Sequence, residues 1–217
     1  MTTSSRLEHL FTLARAARGF MPDDEGLALF AAGEEAARRA AHDEGPVVLL
    51  EVGSWCGKSA TYLGAAAEAA GAVLITVDHH HGSEENQVGW EHFDADLVDP
   101  SDGRLNTLPH LQRQLAVAEL EHTVVAVVGH STEVARWWTT PLALVFIDGG
   151  HGEAPAWADY RSWTPKLRRG GLLAIHDVFE DPAQGGRPPY ELYCEALSSG
   201  EFVDWAACGS LRVVERR

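Results

Sequence analysis

Apolar residues along this chain follow two rhythms. Residues 6–18 and 24–42 repeat Ala and Leu at helical spacing, with Arg and Glu between them, and predict two amphipathic helices. Met21-Pro22-Asp23-Asp24 separates them, and Asp23 or Asp24 is the expected N-cap of the second. Beyond Gly45-Pro46 the rhythm changes. Residues 47–50 form a continuous apolar run, the pattern of a parallel strand covered on both faces. A helix over 59–70, ended by Gly71, and a second strand over 73–77 follow.

From 79 to 106 the chain is polar, His-rich and irregular, a length that marks functional or mobile loops in compact domains. The alternation then resumes with a helix over 108–118, a strand over 123–128, a short helix near 132–138 and a strand over 142–147. A helix near 156–167 leads through Gly170-Gly171 to a strand over 172–175. The tail offers a Pro/Gly-rich insertion (181–189), a helix over 190–197, and two strands, 202–207 and 211–214, around Gly209. Five strands alternating with helices predict an α/β, doubly wound parallel sheet. The closing strand pair, joined by a tight turn, adds an antiparallel strand at one edge. Residues 1–45 are expected to be a helical extension and 46–217 a single α/β domain.

Composition narrows the class. With 45% hydrophobic and 23% charged residues over 217 positions, the chain has the balance of a soluble globular domain. No apolar run approaches the ~20 residues that cross a bilayer, and the first residues do not form a signal peptide, so a cytoplasmic, membrane-free protein is expected. Cys56, Cys194 and Cys208 are widely spaced and odd in number, the pattern of reduced thiols. Asp and Glu number 32 against 17 Lys and Arg, a net charge of −15 that repels phosphate backbones and argues against nucleic acid as a partner. The basic runs Lys166-Leu167-Arg168-Arg169 and Glu215-Arg216-Arg217 read as solvated helix or chain ends.

The turn after the first strand, Glu51-Val52-Gly53-Ser54-Trp55-Cys56-Gly57-Lys58-Ser59, carries the chemistry. Its glycines let backbone approach a ligand, and the helix that follows offers free N–H groups. A Walker A loop fits poorly: Gly57-Lys58-Ser59 is right, but Val52 stands where a glycine is required, although Leu144-Val145-Phe146-Ile147-Asp148 imitates a Walker B strand. A dinucleotide fingerprint fails at Trp55, where the pyrophosphate needs glycine. Glu51, at the strand end, would repel a pyrophosphate but can pair with a cationic amino group. S-adenosylmethionine has an ammonium and a sulfonium and no phosphate. Asp78, ending the second strand, is placed to accept from ribose hydroxyls.

The segment E-V-G-S-W-C-G-K-S resembles motif I of class I methyltransferases, E/D-x-G-x-x-x-G. With Val77-Asp78, Gly129-His130-Ser131, Phe146-Ile147-Asp148-Gly149-Gly150-His151 and the run from Gly170 to Val178, the chain from about 49 to 178 resembles the small-molecule O-methyltransferase branch of that class. This branch includes macrocin-type sugar methyltransferases and cephalosporin-hydroxylase-like proteins, and is similar to methyltransferase family 24. The resemblance implies a Rossmann-like, mostly parallel seven-stranded sheet. It implies S-adenosylmethionine as cofactor, held by Glu51, Gly53, Ser54, Trp55, Gly57, Ser59, Asp78, His79 and Asp148, with Gly129, His130 and Ser131 near the adenine.

Asp148 ends the fourth strand and His176-Asp177 the fifth, so three potential ligands converge beside the methyl donor. A divalent cation there would hold the acceptor's hydroxyls and lower their pKa. Metal-dependent members of the branch carry carboxylates at these strand ends. His176 departs from that pattern, which favours Mn²⁺, Fe²⁺ or Zn²⁺ over Mg²⁺, or no metal. His151 is a candidate general base beside Asp148, or else caps the next helix or orients Asp148. Of His79-His80-His81, His79 is the one expected to face the site. Trp90 is a candidate lid, whereas Trp157 and Trp163 read as core or interface.

The expected activity is S-adenosylmethionine-dependent methyl transfer to a hydroxyl of a small molecule. Two other readings stay open, a metal-dependent hydrolase using Asp148, His176 and Asp177, and a non-catalytic subunit that keeps the fold. The apolar faces of the first two helices point to a homodimer.

Overall fold

The computed structural model describes residues 3–42, 44–90, 92–150 and 152–217. Two helices come first, α1 (Thr3–Ala16) and α2 (Asp23–Ala40). The N-cap of α2 is Pro22, with extended backbone, rather than Asp23 or Asp24. Both acids lie inside the first turn with Glu25, where their charge meets the positive end of the helix dipole. The chain then alternates through β1 (Val48–Val52), α3 (Lys58–Ala70), β2 (Val73–Asp78), α4 (Leu108–Val117), β3 (Val124–Val128), α5 (Ser131–Trp137) and β4 (Leu142–Ile147). It closes with α6 (Glu153–Trp163), β5 (Leu167–Ile175), α7 (Arg187–Ser198), β6 (Phe202–Cys208) and β7 (Leu211–Arg216).

The seven strands form one sheet in the order β3-β2-β1-β4-β5-β7-β6. The first five are parallel, and β7 runs antiparallel to both β5 and β6 at that edge of the sheet. Alternation along the strands divides the core in two. Leu49, Leu144, Phe146, Leu172 and Val213 face the layer of α1, α2, α3 and α4. Their neighbours Leu50, Val145, Ile147, Leu173 and Val214 face α5, α6 and α7. Successive strands step outward from β1 to β3 in one direction and from β4 to β5 in the other. The reversal between β1 and β4 opens a crevice at their carboxyl ends.

The apolar side of α2 (Leu29, Ala32, Ala36, Ala37, Ala40) is buried in the same cluster as Leu10, Leu63 and Ala66. Details of the later elements depart from expectation. The helix expected to reach residue 167 stops at Trp163, because Pro165 cannot continue it, and a single 3₁₀ turn (Thr164–Lys166) follows. Lys166 therefore closes that turn, and Leu167-Arg168-Arg169 opens β5 instead of ending a helix. Leu142 pairs with Leu167 and Leu144 with Leu172, which leaves the residues between as a bulge. The long polar segment after β2 is organised by two single-turn 3₁₀ helices (Glu84–Asn86, Ala95–Leu97) and a bridge between Val98 and Leu105.

Candidate active site

The β1–α3 turn is built around one close approach. Gly53 has a φ of +95°, and a Cβ there would lie 2.1 Å from the carbonyl oxygen of Asp148. Only glycine allows that approach, which the Asp148 N–H reinforces by donating to the Val52 carbonyl at 2.9 Å. Trp55 adopts φ +46° and turns its N–H onto Asp78 Oδ2 at 2.9 Å. Gly57, also at φ +95°, is the N-cap of α3, whose first N–H groups then face the crevice without intrahelical partners.

Beneath this turn lies a buried polar chain. Glu51 is fully buried. Its Oε2 accepts from the Thr76 hydroxyl at 2.5 Å, and Thr76 is bonded in turn to the Ser54 hydroxyl. Its Oε1 has no well-aligned donor. Burial pushes the carboxyl up to about 8; the Ser59 and Thr76 hydroxyls oppose that rise, and the charges of Asp148 and Asp78 add to it. A carboxylate buried with one free oxygen is costly unless a cation reaches it.

Asp78, half-buried at the end of β2, accepts from the N–H of Trp55 through Oδ2 and from that of His80 through Oδ1, at 2.9 and 2.7 Å. The histidines after it divide. His80 turns inward with φ +62° and pairs its Nδ1 with the Thr107 hydroxyl at 2.8 Å, while the His81 Nδ1 donates to the Leu105 carbonyl at 2.9 Å. His79 stays half-buried, its ring 5.0 Å from that of His130, the N-cap of α5, and burial pushes its pKa down towards the neutral ring. Gly129 donates to the Asp78 carbonyl at 3.0 Å. The Ser131 hydroxyl donates to Asp159 at 2.5 Å and accepts from the Trp163 indole at 2.8 Å. Burial raises Asp159 to about 6. Trp163 is fully buried, in keeping with its reading as core.

Asp148, His176 and Asp177 do come together, with one ligand atom from each lying within 4.8 Å of the others. His176 Nδ1 is 3.1 Å from Asp148 Oδ1 and 3.5 Å from Asp177 Oδ1. Ligands about 2.1 Å from a shared ion at right angles are about 3 Å apart, so the two contacts of His176 have the spacing of neighbouring ligands on a divalent cation. Asp177 has φ +54°, a left-handed backbone unusual outside glycine, of the kind that clusters at functional sites. The other ring nitrogen, Nε2, lies 2.6 Å from Glu25 Oε2. Burial alone would lower the imidazole; Asp148, Asp177 and Glu25 outweigh it and hold it up to about 12. Without an ion the ring carries the compensating positive charge. An ion at Nδ1 would take the place of that proton.

Reading the sequence missed Glu25 and Thr76. Thr76 left a faint signal, one hydroxyl in an otherwise apolar strand. Glu25 left none, because an acid run at a helix start is ordinary capping chemistry. His151, the candidate base, lies outside the described residues. The cleft beside Asp148, Gly149 and His176 is walled by Pro189 and Leu192 of α7. Toward the opposite loop, the exposed Phe20 ring sits 5.9 Å from Trp55 and 5.0 Å from His92, and Trp90 is also exposed.

Comparison with known proteins adds family to geometry. A family model described as a methyltransferase domain matches residues 50–178. Among solved structures, the O-methyltransferase NovP superposes with a TM-score of 0.70 at 16% identity, covering 99% of each chain. The S-adenosylhomocysteine-bound methyltransferase PaMTH1 of Podospora anserina gives 0.65 at 11% identity, over 98% of this chain and 88% of that one. The calicheamicin methyltransferase CalS11 gives 0.62 at 17% identity, over 98% and 91%. At these identities the likeness is one of fold. The match of the family model covers well over half the sequence and takes in β1 through β5 with every strand end that lines the crevice, and on that ground the chain belongs to the methyltransferase-domain family.

Proposed function

We propose that this protein transfers the methyl group of S-adenosylmethionine to a hydroxyl oxygen of a small molecule, assisted by a divalent cation at Asp148, His176 and Asp177. The observation that carries the reading is Glu51 Oε1, a buried carboxylate oxygen with no well-aligned donor, set under a glycine turn at the topological switch point. A cationic amino group answers that need, and a phosphate would worsen it. A hydrolase that used only Asp148, His176 and Asp177 would leave it unexplained. Two of the similar folds belong to enzymes described as the O-methyltransferase NovP and the calicheamicin methyltransferase CalS11, which supports a small-molecule acceptor. The net charge of −15 supports the same choice over nucleic acid.

Each residue then has a task. Glu51 faces the ammonium of the cofactor. Asp78 keeps lone pairs free to accept from the ribose hydroxyls while its bonds to Trp55 and His80 hold it still. Asp148 holds the acceptor hydroxyl in line with the methyl carbon and is the described group placed to receive its proton as the new C–O bond forms and the S–C bond breaks. A divalent ion, when bound, supplies positive charge that lowers the pKa of the hydroxyl. Pro189 and Leu192 exclude water from the acceptor side.

Calorimetric titration with S-adenosylhomocysteine tests the cofactor site. The wild-type chain should bind at micromolar concentration. Asp78→Ala should weaken binding by roughly 10–100-fold, the loss of about 1.5–3 kcal/mol expected for hydrogen bonds to a charged group. Absence of binding by the wild-type chain, with and without added Mn²⁺, would overturn the proposal.

A further inference from the structure

We propose that Glu25, in the first turn of α2, is the positioning residue of the cation site, fixing His176 so that Nδ1 faces Asp148 and Asp177 as a ligand. The inference rests on the cation reading above.

A neutral imidazole has one N–H and one lone pair, and what it donates to decides which nitrogen can bind an ion. Glu25 Oε2 sits 2.6 Å from Nε2, and both side chains are about 95% buried, at 4% and 5% exposure. A carboxylate can only accept, so it selects the tautomer with hydrogen on Nε2 and leaves the Nδ1 lone pair towards Asp148 and Asp177. Carboxylate behind histidine behind metal is a recurrent arrangement that fixes the ring and raises its basicity.

Glu25 is itself held for this role. Its Oε1 accepts from the Ser210 N–H at 2.7 Å, and the Ser210 hydroxyl lies 3.0 Å from Oε2. A Cβ at Gly209 would fall 2.0 Å from Oε1, so the β6–β7 turn leaves room for this carboxylate. The Phe146 ring packs against the imidazole edge-on at 6.3 Å and limits its rotation. The ion site is therefore set from α2 and the β6–β7 turn, two elements that supply no ligand themselves.

Glu25→Gln tests the assignment without emptying the space. The Gln carbonyl is claimed by the Ser210 N–H, which turns the amide NH₂ towards Nε2. That nitrogen must then accept, and the hydrogen moves to Nδ1. With Mn²⁺ as the probe, electron paramagnetic resonance of the cofactor-free chain measures affinity, and ¹⁴N spin-echo modulation reports a nitrogen ligand. The wild-type chain should bind Mn²⁺ with ¹⁴N modulation. Glu25→Gln should bind about 10–100-fold more weakly and lose the modulation. His176→Asp should bind without modulation, which assigns the signal to His176. Glu25→Ala strands the Ser210 N–H in the interior and destabilises the chain, so the isosteric variant decides. Unchanged affinity and modulation in Glu25→Gln would overturn the inference while leaving the cation reading intact, as would wild-type binding without modulation. A wild-type chain that takes S-adenosylhomocysteine but no Mn²⁺ would overturn both.

Discussion

Gly53→Ala should abolish S-adenosylhomocysteine binding and lower the unfolding midpoint far more than an alanine at any other left-handed glycine with open space around it. Two costs add at this position. The backbone is at φ +95°, where an L side chain is strained, and the new methyl would lie 2.1 Å from the Asp148 carbonyl oxygen and 3.0 Å from the Gly149 nitrogen. Relief requires β1 and β4 to separate at their carboxyl ends, which is where the crevice forms. Together these come to about 3–5 kcal/mol, an exceptional loss for one methyl. Gly170 is the control: its φ is +72°, but nothing lies within 4 Å of an added Cβ. Gly170→Ala should cost about 1 kcal/mol, the backbone term alone, and leave cofactor binding untouched. Thermal unfolding of both variants makes the comparison, and equal losses would show that the close approach at Gly53 is unimportant.

Glu51→Gln should make the chain more stable in alkali and much poorer at holding its cofactor. Glu51 titrates at about 8 in the folded chain, against an ordinary 4.5. Between those values the folded chain keeps a proton that the unfolded chain releases, so Glu51's contribution falls as pH rises through that window. The neutral amide removes this dependence. Near pH 4 the variant and wild type should melt together. Near pH 9 the variant should melt roughly 5–10 °C higher, allowing about 2–4 kcal/mol for the carboxylate that need not ionise in the interior. Binding should move the other way, with S-adenosylhomocysteine affinity lower by about 100-fold, the order expected when one member of a buried charge pair is neutralised. In the wild type the cofactor's ammonium holds Glu51 ionised, so binding near pH 7 should release a proton, visible as a dependence of the calorimetric heat on the buffer. Full affinity in Glu51→Gln would reduce Glu51 to a packing role.

What the sequence revealed and what it hid divide along chain distance. The β1–α3 turn was legible because its parts are local: an acid, two glycines and a helix start within nine residues. The strand ends at Asp78, Asp148 and His176-Asp177 were legible because a doubly wound sheet puts them in a row whatever the loops do. The bounds of α6 and β5 were misjudged because Lys166, Arg168 and Arg169 are polar and look solvated, while the constraint that mattered was Pro165 ending the helix. The Glu25–His176 contact spans 151 residues, and its partners are as ordinary as any acid and histidine. Only the fold brings α2 against the end of β5. The same holds for Ser131, whose place after β3 suggests ligand contact, yet whose hydroxyl is engaged by Asp159 and Trp163.

The contact between Ser210 and Glu25, 185 residues apart in sequence, also sets an order of events during synthesis. Strands β1 to β5 and all the cofactor-facing strand ends leave the ribosome before the β6–β7 turn does. Until that turn emerges, Glu25 lacks the backbone donor that steadies it, and the His176 Nε2 lacks a fixed partner. A growing chain can therefore shape the crevice early but acquires its ordered imidazole only later, with the pairing of β7 alongside β5. Contacts so distant in sequence close late and slowly. The cation site is thus chemically incomplete until β7 is in place.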